Sequence, residues 1–200
     1  MQPRAPNSNY DFIMKDGQPA KKGFKLPSTG LPKKAVWAIG GVLGLMILAV
    51  IYSAVSGGGG SGQPYANALA RGQEIIRVST SVGQLAQDVP TQNLAATTQN
   101  ALTSEQTQLT AYLTTQKIKV STLALNGDKN TSTDSAMQTA NTNGNLNSVY
   151  AAYLKSQLQL YAADLKTAYN SSGSHGKTIL SNAFNSTEVL LQSPEIAGAN

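Results

Sequence analysis

An uninterrupted apolar run constrains this chain more than any other feature. Residues Ala35 to Val55 contain no charge and no proline, and the pair Lys33-Lys34 precedes them. As a helix rising about 1.5 Å per residue, the run is roughly 30 Å long, which matches one hydrocarbon core. Trp37 and Tyr52 lie near its ends, where aromatic rings favour the headgroup region. The run therefore predicts a transmembrane helix over 35–55, since a helix of a soluble core would alternate with polar positions.

The flanking charges predict the orientation of this helix. Lysines cluster in the residues just before the run, whereas Arg71 is the first basic residue after it. The positive-inside rule places residues 1–34 in the cytoplasm and the remainder outside the cell membrane. A cleaved signal peptide is the rival interpretation, because Ala54-Val55-Ser56 loosely matches a cleavage site. The run exceeds an ordinary signal h-region of about 7–15 residues, which favours an uncleaved, single-pass signal anchor.

The net charge of the chain belongs to its N-terminal tail. The whole chain carries +5, of which residues 1–34 supply seven basic and two acidic side chains. Residues 35–200 hold eight basic and eight acidic side chains and are neutral as a group. The basic composition thus predicts contact with a lipid bilayer and gives no argument for nucleic acid. The absence of cysteine excludes disulfides and thiol catalysis.

Two short segments suggest protein partners. The tail, 1–34, has a composition typical of disorder, and its apolar cluster is a candidate docking motif for a cytoplasmic partner. The alternative is a patch that lies on the inner leaflet. In the apolar run, Gly40 and Gly44 form a small-residue face through which two copies could pair, although glycine is common in membrane helices for other reasons. The apolar cluster consists of Tyr10, Phe12, Ile13 and Met14.

Residues 56–63 read as a linker and 64–200 as a helical domain. Gly57 to Gly62 form a flexible tether, similar to an engineered linker, that spans about 13 Å on average. Apolar residues then recur at helical spacing in four segments. The predicted helices run from Pro64 to Pro90, with a stripe that includes Leu85 and Val89, from Thr91 to Gln116, from Asn147 to Tyr169 and from Lys177 to Gln192.

The region between the second and third predicted helices is less regular. Ile118 to Leu125 reads as a helix end followed by a loop, and 131–144 as mostly loop with a short helix around Ala136. Short connections between amphipathic helices favour antiparallel neighbours. The predicted fold is all-α: one N-terminal transmembrane helix plus a small antiparallel up-and-down bundle of about four helices.

No residue pattern points to catalysis. Leu26-Pro27-Ser28-Thr29-Gly30 resembles a sortase signal but lies on the predicted cytoplasmic side, and Gly176-Lys177-Thr178 lacks the strand and first glycine of a phosphate loop. His175 is the single histidine of the chain, and one imidazole cannot make a metal site. The acidic residues show no acid–base spacing. We expect no enzymatic activity, no cofactor and no metal.

The layout resembles uncharacterised single-pass membrane proteins of small-genome bacteria. The strings that carry the likeness are Asn9-Tyr10-Asp11-Phe12-Ile13, Glu74-Ile75-Ile76-Arg77, Asn93-Leu94-Ala95-Ala96-Thr97-Thr98 and Leu165-Lys166-Thr167-Ala168-Tyr169. The resemblance implies an architecture and no activity. The predicted function is a membrane-anchored extracytoplasmic scaffold or interaction protein, a candidate component of a cell-envelope complex. The alternative is a ligand-binding or sensory bundle whose pocket is lined by Tyr150, Tyr153, Tyr161 and Tyr169.

Overall fold

The computed structural model describes residues 62–120 and 125–199, so the predicted tail and transmembrane segment lie outside the described residues. The described residues form six helices and no strand, which confirms the all-α class for this part of the chain. Within the same ranges, no helix is long and apolar enough to cross a membrane. The helices are α1 Gln63–Leu85, α2 Val89–Thr115, α3 Thr131–Thr142, α4 Leu146–Asn170, α5 Ser174–Leu191 and α6 Pro194–Ala197.

The four long helices form a bundle in which neighbours are antiparallel. Helix α1 contacts α2 and α4, and α5 contacts the same two helices from the other side. Tyr65, at the start of α1, meets Tyr112 near the end of α2 and Ser172 just after α4. Ser79, farther along α1, bonds instead to Tyr150 near the start of α4. The helical bundle predicted from the sequence is thus confirmed.

The bundle has two distinct ends. The linker end contains the start of α1, the end of α2, the turn between α4 and α5, and the start of α5. The far end contains the α1–α2 turn, the start of α4, the end of α5, and α6, which contacts α4 and α5. At the linker end, Gly62 lies very close to the Lys119 carbonyl. A Cβ atom added to Gly62 would overlap that carbonyl oxygen.

The predicted up-and-down order is wrong at one connection. Because α2 and α4 are both antiparallel to α1, they run in the same direction at opposite corners of the bundle. The connection from α2 to α4 must therefore return along the whole bundle, and its described part includes α3, which contacts α1 and α4. A single long crossover of this kind is a known variant of four-helix topology. We call the described residues of this connection, 116–120 and 125–145, the crossover.

Helix α3 is longer than the sequence pattern predicts, because its ends are well capped. The Asn130 side chain accepts a hydrogen bond from the Ser132 amide at 3.0 Å, which satisfies one free donor of the first turn. At the other end Gly144 adopts a φ of 73°, and the Asn145 amide donates to the Ala140 carbonyl. This is the Schellman geometry that ends helices at glycine. Only Met137 and Ala140 of α3 are buried, so apolar spacing gave little signal.

The boundary between α1 and α2 also differs from the prediction. Helix α1 ends at Leu85, five residues before Pro90, and α2 begins at Val89. The Asp88 side chain accepts a hydrogen bond from the Thr91 amide at 2.8 Å, and this bond lowers the pKa of Asp88. Pro90 lies in the first turn, where no amide hydrogen is needed. Val89 consequently belongs to α2 and is exposed, outside the core stripe predicted for it.

Close packing at the linker end predicts that alanine substitutions of two glycines change the free energy of unfolding by different amounts. A Cβ at Gly176 would lie 2.5 Å from the Tyr112 ring, whereas a Cβ at Gly173 would meet no atom within 4 Å. We expect Gly176→Ala to lower the free energy of unfolding by about 1–2 kcal/mol, since overpacking outweighs the gain in helix propensity. Gly173→Ala meets no such overlap, so its cost should stay below about 1 kcal/mol, the loss of a favoured residue at the N-cap of α5. Urea unfolding of both variants checks this, and equal midpoints would contradict the packing described.

Candidate functional site

A surface depression between α2 and α5 contains the most unusual polar group of the bundle. We call it the acid pocket, because Glu105 lies at its base. Its volume is about 260 Å³, and its walls combine small apolar side chains with uncharged polar ones. The lining residues are Ala101, Ser104, Glu105, Gln108, Ile179, Asn182, Ala183 and Ser186.

Glu105 is buried next to a phenol and an amide of the core. It is only 7% exposed, and its Oε2 accepts a hydrogen bond of 3.1 Å from the Tyr161 hydroxyl of α4. The Gln106 amide donates weakly to the same hydroxyl and to the Ala68 carbonyl, at 3.5 and 3.4 Å. Gly72 of α1 provides the room for Gln106, because any Cβ there would overlap its amide nitrogen. Residues of three helices, α1, α2 and α4, thus meet at one polar cluster.

This cluster leaves acceptors without donors. Glu105 Oε1 and Gln106 Oε1 are both buried, and neither has a hydrogen-bond partner among the described residues. Burial disfavours the charged carboxylate and raises the pKa of Glu105 to about 7. The nearby Ser186 hydroxyl, which makes no hydrogen bond of standard geometry to Glu105, and the Tyr161 hydroxyl, which does, act against this rise. At neutral pH, Glu105 is therefore divided between its protonated and ionised forms. It can exchange a proton or accept a hydrogen bond from a bound molecule.

A second polar region, the crossover cleft, lies between α1, α4 and the crossover. Its volume is about 370 Å³, and its polar groups are mostly paired with one another. Arg71 contacts Asp164 at 2.6 Å and Asp128 at 3.6 Å, so it joins α4 and the crossover to α1. The lining residues are Arg71, Glu74, Gly127, Asp128, Lys129, Asn130, Thr133, Tyr153 and Gln157.

Arg77 makes the second set of ion pairs beside this cleft. Its guanidinium donates two hydrogen bonds of 2.7 Å to Glu74 and two, of 2.6 and 2.7 Å, to Asp134 of α3. Glu74 also accepts from the Asn130 amide at 3.2 Å. The hydrogen bonds from Arg77 to Glu74 are the main reason that the pKa of Arg77 is raised above its ordinary value. The pairing is typical of a structural clamp, which here fastens α3 to α1.

Two tyrosines on neighbouring turns of α4, Tyr150 and Tyr153, allow a matched test of what a buried hydroxyl group contributes to stability. The Tyr150 hydroxyl donates to Ser79 at 2.7 Å, whereas the buried Tyr153 hydroxyl has no hydrogen-bond partner in the part of the chain that the structure describes. We expect Tyr150→Phe to destabilise the bundle by about 1–2 kcal/mol, because Ser79 then loses its buried partner. Tyr153→Phe should be neutral or stabilising by up to about 1 kcal/mol. Thermal unfolding measures both, and a large loss for Tyr153→Phe would reveal an undetected partner in the cleft.

The tyrosines of α4 do not line one pocket, so that prediction is wrong. Tyr150 and Tyr161 are fully buried in the core, and only Tyr153 lines the crossover cleft. Tyr169 is exposed at the linker end, where Lys177 lies 5.1 Å from its ring centre. His175 packs against the Tyr112 ring, with centroids 5.8 Å apart. Within the described residues, no group of three or more His, Cys, Asp or Glu could hold a metal ion.

The remaining predicted site residues lie outside the described part of the chain and stay predictions. They are the membrane-interface residues Lys33, Lys34, Trp37 and Tyr52, the small-residue face Gly40 and Gly44, and the docking motif Tyr10, Phe12, Ile13 and Met14.

The sequence carried a signal for Glu105 that the motif analysis missed. Glu105 and Gln106 lie three and four residues after Leu102 and before Leu109, so all four occupy the same face of α2. Both leucines are buried. A carboxylic acid and an amide inside an apolar stripe are therefore expected to be buried polar groups.

Comparisons with protein-family models, with curated proteins and with solved structures find no match to this chain. The resemblance to single-pass membrane proteins of small-genome bacteria therefore stays a prediction. The site has to be interpreted from its own chemistry.

Proposed function

We propose that this protein is a single-pass membrane protein whose helical bundle is an extracytoplasmic scaffold or interaction domain, with no enzymatic role. The observation that carries the proposal is the short distance along the chain between the apolar run and the bundle. The run ends at Val55, and Gly62 already packs against the Lys119 carbonyl at the linker end. Six residues lie between, which span about 13 Å on average as a flexible chain. The linker end would then stay close to the membrane.

Labelling of single cysteines tests the orientation, since the natural chain has no cysteine. Val189→Cys, at an exposed position of α5, should react in intact cells with a maleimide that cannot cross the membrane. Ser8→Cys, in the tail, should react only after the cells are permeabilised. Labelling of the tail alone in intact cells would reverse the proposed orientation. Loss of the tail from the mature protein would show instead that the apolar run is a cleaved signal peptide.

Partners on the two sides of the membrane follow from the same proposal. The cluster Tyr10 to Met14 is proposed to dock a cytoplasmic protein, and Gly40 and Gly44 to let two copies pair in the membrane. In-cell crosslinking with mass spectrometry would name the neighbours on both sides. Deletion of residues 1–23 should remove the inner neighbours and keep the outer ones. An unchanged set of neighbours on both sides would exclude a two-sided role.

A second candidate function is the binding of a small ligand in the acid pocket. The observation that favours it is Glu105 Oε1, a buried acceptor for which the described residues show no hydrogen bond, on a residue that lines a surface depression. A ligand that donates a hydrogen bond, or carries an ammonium group, would satisfy this oxygen. At about 260 Å³ the pocket is smaller than most ligand sites, which measure about 300–1,000 Å³. It therefore suits a small ligand.

Ligand-observed NMR can test this candidate with a pair of probes of similar shape. n-Butylammonium should bind at pH 8, where most Glu105 side chains are ionised, and n-butanol should bind much more weakly. Glu105→Gln should abolish the difference between the probes. Equal binding of both probes to the natural protein, or none, would exclude a cation site at Glu105.

A further inference from the structure

The fold separates charges that are balanced in the sequence. Four lysines lie at the linker end: Lys117, Lys119, Lys166 and Lys177. The first two follow α2 directly, Lys166 is four residues before the end of α4, and Lys177 is three residues after the start of α5. At about 1.5 Å per residue, Lys166 and Lys177 lie within roughly 6 Å of this end along the bundle axis. The Lys119 carbonyl contacts Gly62 at the same end, and Lys117 is two residues before it. We call these four lysines the basic end.

The acid nearest to the basic end along α4, Asp164, pairs with Arg71 and not with a lysine. None of the lysines of the basic end forms an ion pair within the described ranges, where the ion pairs involve only Arg71 and Arg77. Three acidic residues lie instead at the far end, namely Asp88, Glu188 and Glu195. They outnumber Lys155, whose ammonium donates to the Ala199 carbonyl on the same side. A domain that is neutral overall is therefore positive at one end and negative at the other.

The chain leaves the bundle through this same face. Gly62 packs on the carbonyl of Lys119, and six residues separate it from the apolar run. The exposed Tyr169 ring lies beneath Lys177, and aromatic rings together with lysines are enriched at membrane interfaces. Tyr65, Tyr112 and His175 form a row of ring contacts that holds the end of the bundle together.

We propose that the basic end docks the bundle directly onto the anionic lipid headgroups of the membrane that anchors the chain. The inference rests on the proposed anchoring. The tether keeps the lysines close to the headgroups, so docking is an intramolecular event at high effective concentration. Each lysine near an anionic surface raises the equilibrium constant for docking by up to about fivefold. Four lysines are therefore enough to hold the bundle upright, with the acidic far end pointing away from the membrane.

The test uses the full chain in vesicles with a dye on one introduced cysteine. Ser174→Cys reports the linker end and Val189→Cys the other half of α5, and a lipid with a quencher on its headgroup reports contact. Phosphatidylglycerol in the vesicles should quench the Ser174→Cys dye more strongly than phosphatidylcholine alone does. About 1 M salt, which shortens the Debye length to about 3 Å, should remove the difference. The Val189→Cys dye should show no such difference.

Charge variants complete the test. Replacement of all four lysines by glutamine should lower the docking equilibrium by at least tenfold, and Lys166→Gln with Lys177→Gln by a smaller factor. Lys129→Gln, on the crossover, is the matched control and should have no effect. Equal quenching of the Ser174→Cys dye in both lipids would overturn the docking proposal. If the Ser174→Cys dye is quenched equally in both lipids but soluble polyphosphate binds the basic end, the lipid assignment is wrong and the ligand is an acidic polymer.

Failure of the anchoring itself has a different signature. A chain without a membrane anchor would not float with phosphatidylcholine vesicles, whereas an anchored chain floats with either lipid. Flotation with both lipids and lipid-independent quenching would keep the anchor and reject the docking.

Discussion

Arg77→Met is expected to lower the free energy of unfolding by about 3 kcal/mol. The substitution leaves the Glu74 carboxylate, which is only 6% exposed, without its guanidinium partner. Removal of one member of a buried ion pair typically costs about 3–5 kcal/mol, because the other charge stays desolvated. The lower value applies here because Arg77 is itself only half-buried. For a domain of this size, the melting temperature should fall by about 10 °C.

The double variant Arg77→Met with Glu74→Gln is the control for this result. It removes both charges, and the glutamine oxygen can still accept from the Asn130 amide, which bonds Glu74 at 3.2 Å. We expect the double variant to regain at least half of the lost stability, since no unpaired carboxylate then remains buried at this position. Hydrogen exchange should still be faster in α3, because Asp134 has lost its bonds to Arg77. If the double variant is as unstable as the single one, the lost stability comes from the broken Arg77–Asp134 bonds that hold α3 against α1, and not from an unpaired Glu74.

Glu105→Gln is expected to stabilise the bundle at pH 8 and to flatten its pH dependence. The pKa of Glu105 is about 7 in the folded state, against 4.5 as the ordinary value. Between these values the folded state binds more protons than the unfolded state, so the free energy of unfolding falls as the pH rises from about 4.5 to 7. The full difference is about 3 kcal/mol. Below pH 4.5 this contribution to stability is complete, and above about pH 7 it is lost.

Glutamine keeps the shape of the side chain and an acceptor for the Tyr161 hydroxyl, but it cannot ionise. The natural protein and the variant should therefore have similar stability at pH 4.5, and the variant should be more stable by about 2–3 kcal/mol at pH 8. Urea titrations at a series of pH values measure this difference. Glu195→Gln, on the exposed surface of α6, is the control and should stay within about 0.5 kcal/mol of the natural protein. Parallel pH profiles for natural protein and Glu105→Gln would contradict a raised pKa.

Apolar spacing predicted the long helices of the bundle well. Leu154, Leu158, Tyr161, Leu165 and Ala168 were assigned to one stripe of α4, and all five are buried. Such stripes are reliable because a helix of this length must hide one face whatever its neighbours are.

Helices that depend on capping were predicted poorly. Helix α3 hides only Met137 and Ala140, and its extent is set by Asn130 at one end and Gly144 at the other. The α1–α2 boundary was displaced for the same reason, because Asp88 starts a new helix before Pro90. Capping bonds are local and specific, so periodicity over many residues does not detect them.

The candidate site could be predicted only in part. The position of Glu105 between Leu102 and Leu109 indicates a buried acid, but its meeting with Tyr161 depends on the packing of α4 against α2. The same holds for Gly72, which reads as a weak point of a helix and in fact makes room for Gln106. The contact between Glu105 and Tyr161, 56 positions apart, depends on the order of the helices, which the lengths of the predicted loops did not reveal.

The sequence by itself determined that four long helices follow the linker, that a charge-free apolar run precedes them, and that the basic and acidic residues after that run balance. Those properties depend on composition and spacing, which need no knowledge of the fold. The tertiary structure decided which charges meet and which do not. Arg71 and Arg77 are paired along the middle of the bundle, while Lys117, Lys119 and Lys177 come together at the linker end. The crossover makes α2 and α4 parallel, and this puts the lysines after α2 and near the end of α4 on one face.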